Sequence, residues 1–123
     1  MQVDIVPSGS VSLEMMRDLG ELQEALGESG IDATGAKAAI AGVKDGGLMV
    51  ALSVAGLAVS SISSLISALS YWSSKKPAYT LTVEAGPRKL TVSQLGQKGI
   101  QAVLKELEPH TASDKLLVRV ARS

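Results

Sequence analysis

Residues able to carry catalytic chemistry are few and scattered in this chain of 123 residues. His110 is the only histidine, cysteine is absent, and no serine stands in a pattern that pairs a nucleophile with a histidine base. Asp32, Asp45 and Asp114 lie far apart, and the glycine-rich stretches do not match a phosphate-binding loop with its lysine. We therefore expect a protein that is not an enzyme and that has no catalytic residues, no metal site and no cofactor.

Composition narrows the choice of partners. Twelve basic residues balance twelve acidic ones, and the only aromatic residues are Tyr71, Trp72 and Tyr79. A balanced charge is not typical of a general nucleic-acid binder, and so few rings provide no platform for stacking bases. The first ten residues lack the basic start and apolar run of a secretory signal peptide. We expect no nucleic-acid partner.

The chain is organised around an apolar run from Gly46 to Trp72, 27 residues without a charge. About 20 apolar residues cross a bilayer core, and a helix of this length measures roughly 40 Å. The run therefore predicts one long hydrophobic helix. Three environments stay open for it: a membrane, the core of a soluble domain, or a soluble oligomer that later releases the helix.

One side of this predicted helix is small and weakly polar, while the rest is aliphatic. At helical spacing the small residues fall within an arc of roughly 120°. Membrane helices approach one another closely through such residues, so this side is predicted to pack helices or to line a pore. Its members are Gly46, Ser53, Gly56, Ser60, Ser63, Ser64, Ser67 and Ser70.

The end of the run carries signals of a membrane interface. Tyr71 and Trp72 stand where an interfacial aromatic anchor is expected, although ordinary packing at a helix end would explain them equally well. Lys75 and Lys76 follow directly and favour a cytoplasmic C-terminal side. On the membrane interpretation the protein lies in the bacterial inner membrane, reached from a soluble cytoplasmic precursor.

The residues before the run, 1–45, predict a strand at 2–6 and an amphipathic helix at about 11–28. Ser10 or Ser12 can cap this helix. Its acidic face is expected to be solvated, and a second helix is predicted at 36–44, with a break at Gly46–Gly47. The apolar stripe of the first helix comprises Leu13, Met16, Leu19, Leu22 and Leu26; its acidic face comprises Glu14, Asp18, Glu21, Glu24 and Glu28.

The residues after the run, 77–123, predict a β-hairpin from Tyr79 to Ser93, a helix at 94–108 and a final strand at 115–120. The whole order is β-α-(β)-α-β-β-α-β, which predicts a small α+β domain with its strands in one sheet. A permanent span would place the first strand and the hairpin on opposite sides of a membrane. The shared sheet therefore favours a domain that folds first in solution and covers the hydrophobic helix.

The layout from Gly46 onward resembles a known family. The apolar run is followed by two lysines, then by the strands of AYTLTVEAGPRKLTVS joined at a Gly-Pro turn, then by a helix ending AVLKELE. This pattern is similar to the effector-associated constant component proteins, first type, of bacterial conflict systems. The resemblance implies a small non-enzymatic protein encoded beside an effector, often a caspase-like or trypsin-like peptidase.

Two functions follow as expectations. In the first, the chain self-associates and acts on the membrane as a pore-forming or membrane-disrupting effector, released by cleavage by its partner peptidase. Basic residues that such a peptidase would cut are Lys75, Lys76, Arg88 and Lys89, unless they are ordinary turn and flanking charges. In the second, the chain is a soluble adaptor that scaffolds or recruits the peptidase. A weaker alternative is a toxin or holin-like membrane protein.

Overall fold

The computed structural model describes residues 2–8, 12–37, 49–93, 95–107 and 115–122. The strands are β1 (Gln2–Pro7), β2 (Thr34–Lys37), β3 (Met49–Val54), β4 (Tyr79–Ala85), β5 (Arg88–Thr91) and β6 (Lys115–Arg122). The helices are α1 (Leu13–Glu28), α2 (Ile62–Lys75) and α3 (Gln97–Leu107), and a 3-10 turn at Val59–Ser61 leads into α2.

All six strands form one mixed sheet in the order β2-β3-β1-β6-β4-β5. The first and last strands of the chain, β1 and β6, run parallel to each other at its centre. Every other neighbouring pair is antiparallel. The prediction of an α+β domain whose strands share a sheet is confirmed, and the first strand and the hairpin lie in that same sheet.

One side of the sheet is buried, and alternation along the strands determines which residues lie there. On β1 these are Val3 and Ile5, which pair in register with Leu116 and Val118 of β6. Alternate residues of a strand point to opposite sides, so the same apolar side continues across the sheet. On β3 and β4 it is formed by Leu52, Val54, Tyr79, Leu81, Val83 and Ala85.

The helices cover this buried side. Helix α1 packs on β3 and on α2, and α2 packs on β4 and on α3. Helix α1 begins at Ser12, whose Oγ accepts a hydrogen bond from the Met15 N–H at 3.1 Å and so satisfies one of the free donors of the first turn. The predicted stripe of α1 is buried except for Leu13, which is 49% exposed.

The prediction of a single long helix from Gly46 to Trp72 is wrong. Within the described residues the run forms strand β3, a turn around Gly56, the short 3-10 turn and then α2. Gly56 adopts a φ of +68°, a left-handed conformation that breaks any continuous helix and that side chains rarely adopt. Among the described residues, no helix is both long and apolar enough to cross a membrane.

The run divides because it contains two different apolar periodicities. In β3, Leu52 and Val54 are buried while Ala51 and Ser53, which alternate with them, are partly exposed, which is the period of a strand. In α2 the buried residues include Ile62, Leu65, Ile66 and Leu69, which is the period of a helix. Because β3 is paired with both β1 and β2, its backbone hydrogen bonds are satisfied in the sheet.

Smaller predictions have mixed outcomes. The hairpin and the final strand are confirmed, and α3 lies within its predicted range. The prediction of a helix that starts at Ala36 is wrong for residues 36–37, because they belong to strand β2. The rest of that helix, and the break at Gly46–Gly47, fall outside the described residues.

Candidate functional site

The small residues predicted to share one helix face are distributed over three elements. Ser53 lies on β3, where its Oγ donates to Asp4 Oδ1 at 3.3 Å. Gly56 lies in the turn that follows, and Ser60 lies exposed in the 3-10 turn. Gly46 falls outside the described residues. These residues therefore do not form one continuous packing or pore-lining face.

The serines of α2 divide between the core and the surface. Ser70 is 2% exposed, and its hydroxyl accepts from the Leu95 N–H at 2.7 Å and donates to the Leu95 carbonyl at 3.1 Å. This pair of bonds fixes the segment that leads into α3. Ser63, Ser64 and Ser67 are exposed instead and line an open groove of about 400 Å³ between α2 and the end of α1.

The two aromatic residues predicted as an interfacial anchor point in opposite directions. Tyr71 is 62% exposed and lines the groove beside Ser67, whereas Trp72 is 4% exposed. The Trp72 ring packs on Tyr79 with centroids 5.3 Å apart. Its Nε1 has no hydrogen-bond partner among the residues that the structure describes. The pair therefore does not present one aromatic surface.

The four candidate cleavage residues differ in how firmly they are held. Lys75 is exposed at the end of α2, with its Nζ 4.6 Å from the centroid of the Tyr71 ring. Lys76 is ion-paired within the fold and precedes Pro77. Arg88 pairs with Glu106 of α3, and Lys89 pairs with Glu84 across the hairpin at 3.4 Å.

A polar cluster that sequence reasoning missed lies at the end of the sheet beneath α1. Asp18 is 8% exposed, so its prediction as part of a solvated acidic face is wrong. Its Oδ2 accepts from the Tyr79 hydroxyl at 2.5 Å, and its Oδ1 accepts from Lys76 Nζ at 3.1 Å. Lys76 also pairs with Glu21 at 2.7 Å. The cluster joins α1 to the end of α2 and to β4.

The protonation states of Lys76 and Tyr79 agree with their roles as donors to Asp18. Glu21 and Asp18 raise the pKa of Lys76 above its ordinary value, so its ammonium stays charged. Burial, followed by the hydrogen bond to Asp18, raises the pKa of Tyr79, so its hydroxyl stays a donor. The sequence signal was present, because Asp18 stands three residues after the buried Met15 and four before the buried Leu22, on the same side of the helix.

The second feature is the side of the sheet opposite the helices, which we call the open face. Its residues alternate with the core residues along each strand. Near its centre lie Val6 of β1 and Leu117 of β6, both partly exposed apolar side chains. The other open-face residues of the described strands include Asp4, Ala51, Ser53, Thr80, Thr82, Glu84, Lys89, Lys115, Arg119 and Ala121.

Charges on the open face form a cross around Leu117. Across the strands, Leu117 pairs in register with Asp4 on one side and Glu84 on the other. Along its own strand, Leu117 is flanked on the same face by Lys115 and Arg119. Lys115 Nζ lies 3.1 Å from Asp4 Oδ2, and Arg119 Nε lies 2.6 Å from Glu84 Oε2. We call these five residues the charge cross.

Two shallow depressions lie beside Leu117, one over each carboxylate. The first, of about 360 Å³, is lined by Asp4, Val6 and Leu117 among others. The second, of about 420 Å³, is lined by Glu84, Leu117 and Arg119 among others. Lys115 lines both depressions and Arg119 lines the second, so a side chain that enters either one meets an acidic, an apolar and a basic group.

The carboxylates of the charge cross are held in their ionised form. Gln2, whose amide donates to Asp4 at 3.0 Å, and then Lys115 lower the pKa of Asp4 below its ordinary value. Arg119 lowers the pKa of Glu84 in the same way. The alternation of β6 in the sequence indicates that Lys115, Leu117 and Arg119 share one face. The sequence does not show that Asp4 and Glu84 lie beside them, because that depends on the register of the sheet.

No protein-family model matches the chain, and no curated protein or solved structure is significantly similar to it. In the parts of the chain that the structure describes, no group of three or more His, Asp and Glu side chains is arranged to hold a metal ion.

Proposed function

We propose that the chain is a non-enzymatic component of a bacterial defence system that works by self-association and by recruiting a caspase-like or trypsin-like peptidase. The observation that carries self-association is the open face, whose centre combines the apolar side chains Val6 and Leu117 with charges of both signs. The resemblance of the sequence layout to effector-associated constant components supports the peptidase as the effector.

The position of the parallel strands supports a covered open face. Purely parallel sheets have both sides covered, whereas antiparallel sheets commonly leave one side to solvent. Here the parallel pair, β1 and β6, stands at the centre of the sheet and carries Val6 and Leu117 on its open side. The described helices lie on the other side, so a partner is the natural cover for this centre.

The composition supports association between copies of the chain. The formal net charge is zero, with 12 basic and 12 acidic residues. A protein without net charge has no long-range repulsion from its own copies, and this favours association at neutral pH. A partner of strong single-sign charge would gain little from a face whose charges are balanced.

The proposal is tested by sedimentation equilibrium of the purified full chain, followed by co-purification with the peptidase encoded beside it. We expect a concentration-dependent dimer or larger oligomer, and a complex with the peptidase that survives gel filtration. A chain that stays monomeric at all accessible concentrations contradicts self-association. A chain that self-associates but ignores the peptidase contradicts recruitment alone.

Membrane action is the second candidate, because the 27 residues from Gly46 to Trp72 remain uncharged whatever their structure. In this fold their apolar side chains, such as Leu52, Leu65 and Leu69, are buried in the core. Insertion would therefore require β3 and α2 to leave the sheet. This requirement distinguishes the second candidate from the first.

A further inference from the structure

We propose that the open face binds the open face of a second copy, with the strands of the two sheets crossing at about 90° and Leu117 of each copy at the two-fold axis. The inference rests on the proposed self-association and deepens it by naming the surface and its geometry. The charges of the charge cross face those of the symmetry-related copy, and this determines the geometry of the contact.

Charge decides the crossing angle. The carboxylates of Asp4 and Glu84 lie on a line across the strands, and the cations of Lys115 and Arg119 lie on a line along β6. If two sheets stack with their strands aligned and centred on Leu117, a two-fold axis places carboxylates over carboxylates and cations over cations. A quarter turn instead places each cation over a carboxylate, which is the arrangement that electrostatic complementarity favours.

The spacing of a sheet makes this exchange possible. Neighbouring strands are about 4.8 Å apart, and residues two apart on one strand are separated by about 6.7 Å. Acids and bases therefore surround Leu117 at similar distances, within the reach of a lysine or arginine side chain. Each carboxylate has two oxygens, so Asp4 and Glu84 can keep their own partners, at 3.1 and 2.6 Å, while accepting a second cation.

Two-fold symmetry makes the contacts reciprocal. If Lys115 of one copy lies over Asp4 of the other, then Asp4 of the first copy receives Lys115 of the second, as in any isologous interface. The same operation pairs Arg119 with Glu84. This axis lies in the interface, along one of the two diagonals between the strand directions of the two sheets. An axis along the second diagonal instead pairs Lys115 with Glu84 and Arg119 with Asp4. All four residues are paired in both cases, so a quarter turn in either sense is self-complementary.

The shape of the face agrees with the charges. The two depressions, of about 360 and 420 Å³, each contain one carboxylate of the charge cross. In the crossed arrangement they receive the long basic side chains of the second copy, while the two Leu117 side chains meet between them. The centre of the contact is then apolar and its surround is charged, which is the usual anatomy of a protein interface.

The area of overlap fits a weak, concentration-dependent dimer. Six strands at about 4.8 Å make a face about 29 Å wide and about 20 Å long, so two such faces that cross at 90° overlap over at most about 400 Å² of flat surface. Specific interfaces bury about 600 to 1,000 Å² per partner. The crossed contact is therefore smaller than a standard interface and has the size of a weak, transient association.

The test places one thiol at the proposed axis. The chain has no cysteine, so Leu117→Cys introduces the only thiol. Facing sheets pack about 10 Å apart, so the two Cα atoms at position 117 are too far apart for a direct disulfide but lie within reach of a short bismaleimide crosslinker. The matched control is Ala121→Cys, on the same strand and face but about 13 Å from Leu117, so that its two copies lie about 21 Å apart across the two sheets of the crossed dimer.

On treatment with the short bismaleimide we expect Leu117→Cys to become mostly a covalent dimer and Ala121→Cys to stay uncrosslinked, while the unmodified chain sediments as a dimer at high concentration. If the unmodified chain is dimeric but Leu117→Cys does not crosslink, the crossed geometry is overturned and self-association stands. Equal crosslinking of both variants overturns the geometry as well. A monomeric unmodified chain overturns this inference together with the self-association on which it rests.

Discussion

Asp18 shows what a single buried charge requires of its surroundings. A buried ionised carboxylate destabilises the fold unless it is paired and hydrogen-bonded. Asp18 has both kinds of partner, since Lys76 supplies a charge at 3.1 Å and Tyr79 donates a hydroxyl at 2.5 Å. We interpret this cluster as the link that holds α1 against the end of the sheet.

The effect of removing the Tyr79 hydroxyl tests that interpretation. We expect Tyr79→Phe to lower the free energy of unfolding by about 1–3 kcal/mol, because Asp18 stays buried with one hydrogen bond fewer. The pKa of Tyr79 is raised above its ordinary value of 10.0 in the fold. Its contribution is therefore fully present below the unfolded pKa and is lost as pH rises above it.

The measurement is urea unfolding of the wild type and the variant between about pH 8 and about pH 11. The wild type should lose stability more steeply than Tyr79→Phe as the solution becomes alkaline; the pKa of Lys76 is also raised, so the variant keeps some dependence. The matched control is Tyr71→Phe, which removes an exposed phenol and should leave stability nearly unchanged. Parallel curves for wild type and Tyr79→Phe would refute the role of this hydroxyl.

The elements show where sequence reasoning succeeds and where it fails. The hairpin β4–β5 and strand β6 follow from strict alternation, because a strand with one covered side must place every second residue in the core. The run from Gly46 to Trp72 misled because hydropathy alone does not separate a spanning helix from a buried strand followed by a buried helix. Two signals in the sequence mark where the run divides into a strand and a helix: the alternation at Leu52 and Val54, and the glycine at position 56.

The contacts within the charge cross and within the Asp18 cluster could not be predicted, although the burial of Asp18 itself had a signal in the sequence. Both join residues that are far apart in sequence, as with Asp18 and Tyr79, or Asp4 and Lys115. Their contacts follow from the register of the sheet and the packing of α1 on it. A single sequence contains the partners but not the pairing.

Membrane action by the apolar run can be tested by fixing strand β3 to its neighbour in the sheet. Asp4 and Ser53 are register partners on adjacent antiparallel strands, at a spacing that suits a disulfide. The double variant Asp4→Cys with Ser53→Cys, once oxidised, holds β3 on β1. We expect no leakage of dye from vesicles of phosphatidylglycerol and phosphatidylethanolamine with wild type, oxidised or reduced variant, because the apolar side chains stay in the core.

The reduced form is the control for the oxidised one, since the two differ only in the crosslink. Leakage caused by the wild type and the reduced variant, and abolished by oxidation, would establish the second candidate function. It would also show that β3 leaves the sheet during that action.

At the scale of the whole molecule, the two sides of one sheet have different roles. The helical side buries the apolar side chains of β3 and α2, such as Leu52, Leu65 and Leu69, and so accounts for the stability of the domain. The open face carries the charge cross and accounts for the proposed association. Strands from before, within and after the apolar run all belong to this sheet. The buried side and the open face therefore form together when the sheet folds.

The most direct test of the account uses two variants of the open face with opposite charge. Lys115→Glu with Arg119→Glu makes the charge cross wholly acidic, and Asp4→Lys with Glu84→Lys makes it wholly basic. Sedimentation velocity should show each variant alone as a monomer, because like charges then oppose one another across the interface. An equimolar mixture should sediment as a one-to-one dimer, whereas a mixture that stays monomeric, or variants that each still dimerise alone, would contradict the account.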